Sequence, residues 1–348
     1  MLSLINYRDL LLFVRRVELD FVPGLRVEFV DRDVALRQVS EWAEKGTRFP
    51  IVIFGPEGCG KTAFLKQAVE MLRESGYEMF YIHPLDEVFD AKVSFPDVKR
   101  AFMDFVEKAL AENAVGRVVW AVFDFTRKIL SIRRSRVAVV VDDAFQVIGV
   151  DKAAAYVKGL LNMIEHPVYD YDRMVVLVAT SEGLSRDEIG RHSWAEITPI
   201  WNMPRGGFKQ LYEKLPGHKP SFKETWRLTG GNPRMLARLY QANWRVDYVL
   251  NRIIDERGLS RDFIVRWRSW LEKVVEDPDV VSEVEFPGEL RHELIRRNLL
   301  IYTMYSRRPY LWIDEVPPER DSEMGIGKYA AWHTPLHRDA VKKALSEA

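Results

Sequence analysis

The stretch Ile51-Val52-Ile53-Phe54-Gly55-Pro56-Glu57-Gly58-Cys59-Gly60-Lys61-Thr62 decides how the rest of the chain is read. A β-branched run stops at Gly55, and a helical pattern from Lys61 to Arg73 begins directly after Gly60. The intervening G-x-x-x-x-G-K-T has the composition of a phosphate cradle. Gly55, Gly58 and Gly60 allow the backbone to fold back so that its N–H groups point inward. Together with the positive end of the following helix, those donors make an anion site. Lys61 adds a point charge suited to β- and γ-phosphates, and the Thr62 hydroxyl is an oxygen ligand suited to Mg²⁺. The pattern therefore predicts a nucleoside-triphosphate site.

Upstream, Phe29-Val30-Asp31-Arg32-Asp33 precedes apolar residues at helical spacing (Leu36, Val39, Trp42), and Pro50 opens the strand before the loop. Downstream, Met79–Ile82, Val137–Val141, Met174–Ala179 and Ala195–Ile200 read as strands. Helical patterns separate them at Val98–Leu110, Arg117–Leu130 and Ala153–Glu165. Unbroken apolar strands alternating with helices predict a parallel sheet covered on both faces.

From Pro204 the pattern turns helical: Gly207–Leu215, Phe222–Leu228, Pro233–Asn243 and then 244–275. A last segment reads as a helix (Glu289–Arg297) followed by strands Leu299–Thr303 and Tyr310–Ile313 around Ser306-Arg307-Arg308-Pro309, which suits a small winged helix. The expected organisation is a lead-in over 1–28, an α/β core over 29–201, a helical lid over 202–258 and a winged-helix-like domain over 259–348.

Asp142 and Asp143 end the Val137–Val141 strand. Asp142 is placed to support a metal ion's ligand shell, and Asp143 to accept a proton from an attacking water. The next strand ends at Thr180-Ser181, and either hydroxyl is suited to contact the γ-phosphate or the water. Downstream, Arg186 and Arg191 are the candidates for an arginine that stabilises charge in the transition state, against the ordinary alternative of surface arginines. Cys59 reads either as a reactive thiol beside Lys61 or as a small loop residue. His333 and His337 are four apart, but Pro335 lies between them and no third ligand accompanies them.

These motifs resemble the archaeal ATPase family, in the STAND branch of AAA+-like P-loop NTPases. Phe29–Asp33 is similar to the family's F-x-x-R-E/D entry box, Gly55–Thr62 to Walker A, Asp142-Asp143-Ala144-Phe145-Gln146 to Walker B, and Gly231-Asn232-Pro233 to the G-x-P element of the lid. The resemblance covers about residues 25–260. It implies an ASCE-type P-loop core, ATP/ADP with Mg²⁺ as cofactors, and a switch driven by slow hydrolysis. The slowness follows from Asp143, one methylene shorter than the glutamate of fast relatives. It also implies nucleotide contacts from Phe29, Val30, Arg32, Gly55, Pro56, Glu57, Gly58, Cys59, Gly60, Lys61, Thr62, Ala63 and Pro233. Metal support would come from Thr62 and Asp142, and catalysis from Asp143, Lys61, Thr180 and Arg191. Arg234, beside the lid proline, resembles the lid arginine of AAA+ proteins.

A second expectation, by similarity to archaeal replication initiators, is ATP-gated DNA binding through Arg296, Arg297, Arg307 and Arg308 of the winged helix. Composition limits it. Lys plus Arg equals Asp plus Glu at 51 each, so the formal net charge is zero. That balance argues against a strongly basic nucleic-acid-coating protein and leaves a local basic patch open. The single cysteine excludes an intrachain disulfide or a multi-cysteine zinc site. The longest apolar runs fall far short of the ~20 residues of a membrane helix. A cytoplasmic, membrane-free protein is expected, with oligomerisation left open.

Overall fold

A computed structural model describes residues 15–180 and 183–348. The chain groups into two compact units. Among the described residues, one comprises 15–17, 33–54, 61–180 and 183–198; the other comprises 18–32, 55–60 and 199–348. The glycine-rich loop thus groups with the second unit, while Lys61 and the helix it begins group with the first.

In chain order, a hairpin of β1 (Glu18–Val22) and β2 (Leu25–Glu28) comes first, pairing antiparallel across Pro23-Gly24. It was not anticipated, although the alternation Glu18-Leu19-Asp20-Phe21 and the Pro-Gly turn are its signature. The first unit is built on β3 (Ile51–Phe54), β4 (Glu78–His83), β5 (Val88–Lys92), β6 (Arg136–Asp142), β7 (Arg173–Thr180) and β8 (Glu196–Pro199). Their order across the sheet is β5-β4-β6-β7-β3-β8.

Strands β4, β6, β7 and β3 are mutually parallel, as expected of runs buried on both faces. Strand β7 lies between β3 and β6. Strand β5 runs antiparallel to β4 and closes one edge. It escapes detection because Asp90 and Lys92 interrupt its apolar run. Helices Lys61–Glu74, Pro96–Ala111, Gly116–Ile132 and Ala153–Glu165 cover the sheet at the positions their periodicity indicated. The polar stretch near Asp187 is part of a helix, Gly183–Gly190. A core including Val52, Phe80, Phe102, Val139, Tyr156 and Val176, all fully buried, fixes the strands' shared carboxyl edge.

The second unit is helical: Arg205–Glu213, Phe222–Thr229, Pro233–Gln241, Val246–Glu256, Arg261–Glu276, Gly288–Arg296 and Pro335–Glu347. One apolar cluster joins Met235 and Leu239 with Leu271, Leu290, Trp332 and Leu336, so residues on either side of position 258 share a core.

The expected strand at Tyr310–Ile313 is a correction. Pro309–Leu311 forms a 3-10 turn, and β9 (Leu300–Tyr302) pairs instead with β10 (Ala330–Trp332). Trp312 and Ile313 are buried, at 1% and 0% exposure, and Ile313 makes only an isolated parallel bridge to Ile200. The closing helix has Thr334 as N-cap and Pro335 in its first turn, a start signal written in the sequence. Among the described residues no helix is long and apolar enough to cross a membrane.

Candidate functional site

In the first unit the parallel strands end at one edge, and register places their last residues. Ile82 lies beside Val141, Asp142 beside Ala179, and Phe54 beside Thr180. His83, Asp142, Asp143 and Thr180 therefore come together by topology alone. Ligand atoms of His83, Asp142 and Asp143 lie within 4.8 Å of one another. Asp143 is held with φ of 46°, left-handed backbone that Asp tolerates better than most residues, and its N–H donates to the Ala179 carbonyl at 3.0 Å.

Asp142 is fully buried. Its Oδ2 accepts from the Tyr81 hydroxyl at 3.2 Å and lies 3.7 Å from His83 Nε2. His83 Nδ1 lies 3.3 Å from the Asp86 N and 3.2 Å from Asp86 Oδ2, so the ring is held between the Asp86 and Asp142 carboxylates with Nε2 facing Asp142. Oδ1 has no hydrogen-bond partner among the described residues. Burial pushes the Asp142 carboxyl up to about 6, with Asp143 adding to the effect and His83, Thr62 and Lys61 opposing it. A buried carboxylate oxygen with no donor, beside a second carboxylate and a threonine hydroxyl, is an oxygen-rich set that suits a hard divalent cation such as Mg²⁺. Thr62 and Asp142 are the residues that would hold it.

Lys61 is buried at 5% exposure at the start of its helix, and Thr180 is buried at the end of β7. Ser181, the alternative hydroxyl, lies outside the described residues. Arg186 stands over the Phe54 ring at 4.9 Å and pairs with Asp187, whereas Arg191 is exposed and pairs with Glu188 at 2.9 Å. Arg191, the one that the resemblance assigns to catalysis, is thus the more exposed of the two.

In the second unit the loop has the backbone its glycines implied. Gly58 and Gly60 have φ of 77° and 101°. A Cβ at Gly58 would meet Arg234 Cβ at 2.3 Å, whereas at Gly60 it would meet nothing within 4 Å, so open space adjoins that part of the loop. The loop's carbonyls are held from outside. Asn232 Nδ2 donates to the Glu57 carbonyl at 2.9 Å, the Arg234 N–H to that of Gly58 at 3.3 Å, and Arg32 Nη2 to that of Cys59 at 2.8 Å.

Arg32, which the resemblance puts among the nucleotide contacts, is a buried brace. Its guanidinium also donates to the Trp201 carbonyl and pairs with Asp314, each at 2.8 Å. Phe29 is buried and Val30 half-buried. Pro233 opens its helix behind Asn232, whose side chain caps that helix through the Met235 N–H. Cys59 is fully buried, which suits a small loop residue rather than an accessible thiol.

The Glu57 carboxylate pairs with Arg234 and, at 2.6 Å, with Arg257, while its N–H donates to His333 Nδ1 at 3.2 Å. Although burial alone would raise it, the two arginines hold this carboxyl down at about 2. Neither Arg257 nor His333 was expected at the loop. They lie 200 and 276 residues from Glu57 in the chain, and no local pattern announces them.

A family described as an ATPase domain predominantly from Archaea matches residues 29–239, more than half of the chain. The chain belongs to this family. Membership in this archaeal ATPase family agrees with the resemblance read from its motifs and supports nucleotide as the ligand class. No curated protein matches.

Among solved structures, the Aeropyrum pernix ORC1 protein in complex with DNA aligns at 16% identity. The match covers 92% of this chain and 93% of that one, with a TM-score of 0.41. AMPPCP-bound DnaA from Aquifex aeolicus aligns at 16% identity over 72% of this chain and 74% of that one, with a TM-score of 0.36.

Proposed function

We propose that this archaeal-family ATPase binds ATP with Mg²⁺, hydrolyses it slowly and uses the nucleotide as a conformational switch. The observation that carries the reading is Asp142. A fully buried carboxylate with one oxygen lacking a donor is costly in a protein. Its neighbours Lys61 and Thr62 are the residues that phosphate and metal require.

In this reading Gly55–Thr62 and Ala63 surround the phosphates, Lys61 neutralises them, and Thr62 with Asp142 holds the cation. When bound, that cation supplies charge neutralisation at the phosphates. Asp143 accepts the proton of the attacking water, and Thr180 hydrogen-bonds either that water or the γ-phosphate. Of the two arginine candidates we favour Arg186, which packs over Phe54, rather than the exposed Arg191. We assign 202–258 to a lid that carries Pro233 and Arg234, and 259–348 to a C-terminal module.

DNA engagement draws little support from the surroundings of three of the four arginines, while Arg308 is exposed and donates to the Tyr310 hydroxyl at 3.0 Å. Arg296 and Arg297 pair with Glu293, and half-buried Arg307 donates to the carbonyls of Tyr305, Gly327 and neighbouring residues. Isothermal titration of ATP with Mg²⁺ into the full chain tests the nucleotide reading. One site is expected, and Lys61→Ala should weaken it by about a hundredfold, two decades of affinity for a buried charge on polyphosphate. Equal binding by wild type and Lys61→Ala would refute it.

A further inference from the structure

Glu57 is the only acidic residue in the loop from Gly55 to Thr62. A carboxylate beside a polyphosphate cradle repels the ligand unless it is neutralised. Here two guanidiniums converge on it. Arg234 meets Oε1, and Arg257 Nη2 meets Oε2 at 2.6 Å with Asn298 Nδ2 at 3.4 Å from the same oxygen. The side chain of Arg234 is 51% exposed, so a ligand can reach it.

The carboxylate is not what shapes the loop. Asn232, Arg32, His333 and the Arg234 backbone hold the main chain at Glu57, Gly58 and Cys59 through separate hydrogen bonds. The Glu57 side chain is therefore free to change partners without unmaking the loop's backbone contacts.

We propose that Glu57 is a resident anion for the arginine pair, and that the terminal phosphate of ATP replaces its carboxylate on Arg234 and Arg257. The inference rests on the nucleotide reading above and specifies how that site is regulated. ADP, lacking the third phosphate, leaves the Glu57 pairing in place. The exchange is felt beyond the loop. Arg257 is tied through its carbonyl to Arg297 Nη1 at 2.6 Å, and Asn298 follows directly, so releasing Glu57 frees the segment at 257–258 and 297–298 together. The nucleotide state is read by the C-terminal module through a carboxylate that sits in the phosphate loop itself.

The test compares binding of ADP and of a non-hydrolysable ATP analogue, each with Mg²⁺, to the full chain and to Glu57→Gln and Arg257→Gln. With the competing carboxylate gone, Glu57→Gln should bind the ATP analogue about tenfold more tightly, the scale of one charge-assisted hydrogen bond. ADP affinity should stay within about twofold on the same scale. Arg257→Gln should weaken the ATP analogue more than ADP. Unchanged or weaker binding of the ATP analogue to Glu57→Gln, or an equal gain for both nucleotides, overturns the exchange while leaving the nucleotide reading intact. Failure of the wild-type chain to bind either nucleotide overturns both.

Discussion

Two carboxylates of the nucleotide machinery sit in opposite electrostatic surroundings. Asp142, at the end of β6, is buried next to Asp143 with one oxygen lacking a donor, and its carboxyl is pushed up to about 6. Glu57, in the glycine-rich loop, is enclosed by Arg234 and Arg257 and is held down at about 2. Both are acidic side chains shielded from water, so burial alone does not separate them. The difference is whether a cation is already supplied. The loop carboxylate has its positive partners built into the chain, whereas the strand-end carboxylate keeps one oxygen without a hydrogen-bond partner, which under the proposed function a bound metal would meet.

The largest effect that probes this contrast is at Asp142. Asp142→Asn should lower Mg²⁺-dependent phosphate release by about a hundredfold or more, as expected on removing a metal-side carboxylate. It should also stabilise the metal-free fold. A raised carboxyl gives the native state an advantage that is complete below the unfolded value near 3.8 and is lost as pH rises through about 6. Urea unfolding without metal should therefore find Asp142→Asn more stable than wild type by roughly 2 kcal/mol at pH 8, with the gain gone at pH 4.

Glu57→Gln should behave in the opposite sense. Its carboxyl is depressed, so its contribution is present above the ordinary value near 4.5 and fades as pH falls towards 2. The variant should be less stable than wild type by roughly 2 kcal/mol at pH 7, and by less at pH 3, in the same urea assay. A loss that does not change with pH would mean that packing rather than charge matters there.

The smallest expected effect is at Tyr81, which donates to Asp142 Oδ2. Tyr81→Phe should cost about 1 kcal/mol at pH 8, where Asp142 is ionised, and less at pH 5. A pH-independent cost would place the tyrosine's value in its ring instead.

The sequence made the sheet legible wherever a strand is buried on both faces, since Val137–Val141 and Met174–Ala179 have no other stable use for so many β-branched residues. It also made the loop and Asp142-Asp143 legible, because their chemistry is written in adjacent positions. What stayed hidden depends on partners remote in the chain. Arg32 carries no local sign that it will meet Asp314, 282 residues on, and Glu57 none that it will meet Arg234 and Arg257, 177 and 200 residues on. Short elements failed for a related reason. The strand Ala330–Trp332 is three residues long and has no period to detect, while the apolar run ending at Ile313 imitated one. An arginine at a hairpin tip, where Arg307 was expected, reads as a surface contact until its neighbouring carbonyls are known.

The most direct test of the central claim is amide hydrogen exchange across Gly55–Thr62 in the full chain, with and without a non-hydrolysable ATP analogue and Mg²⁺. If those amides cradle a polyphosphate, the nucleotide should slow their exchange in wild type, and Lys61→Ala should largely remove that protection. Exchange at Gly55–Thr62 that is indifferent to saturating nucleotide, with or without protection elsewhere, would contradict the account.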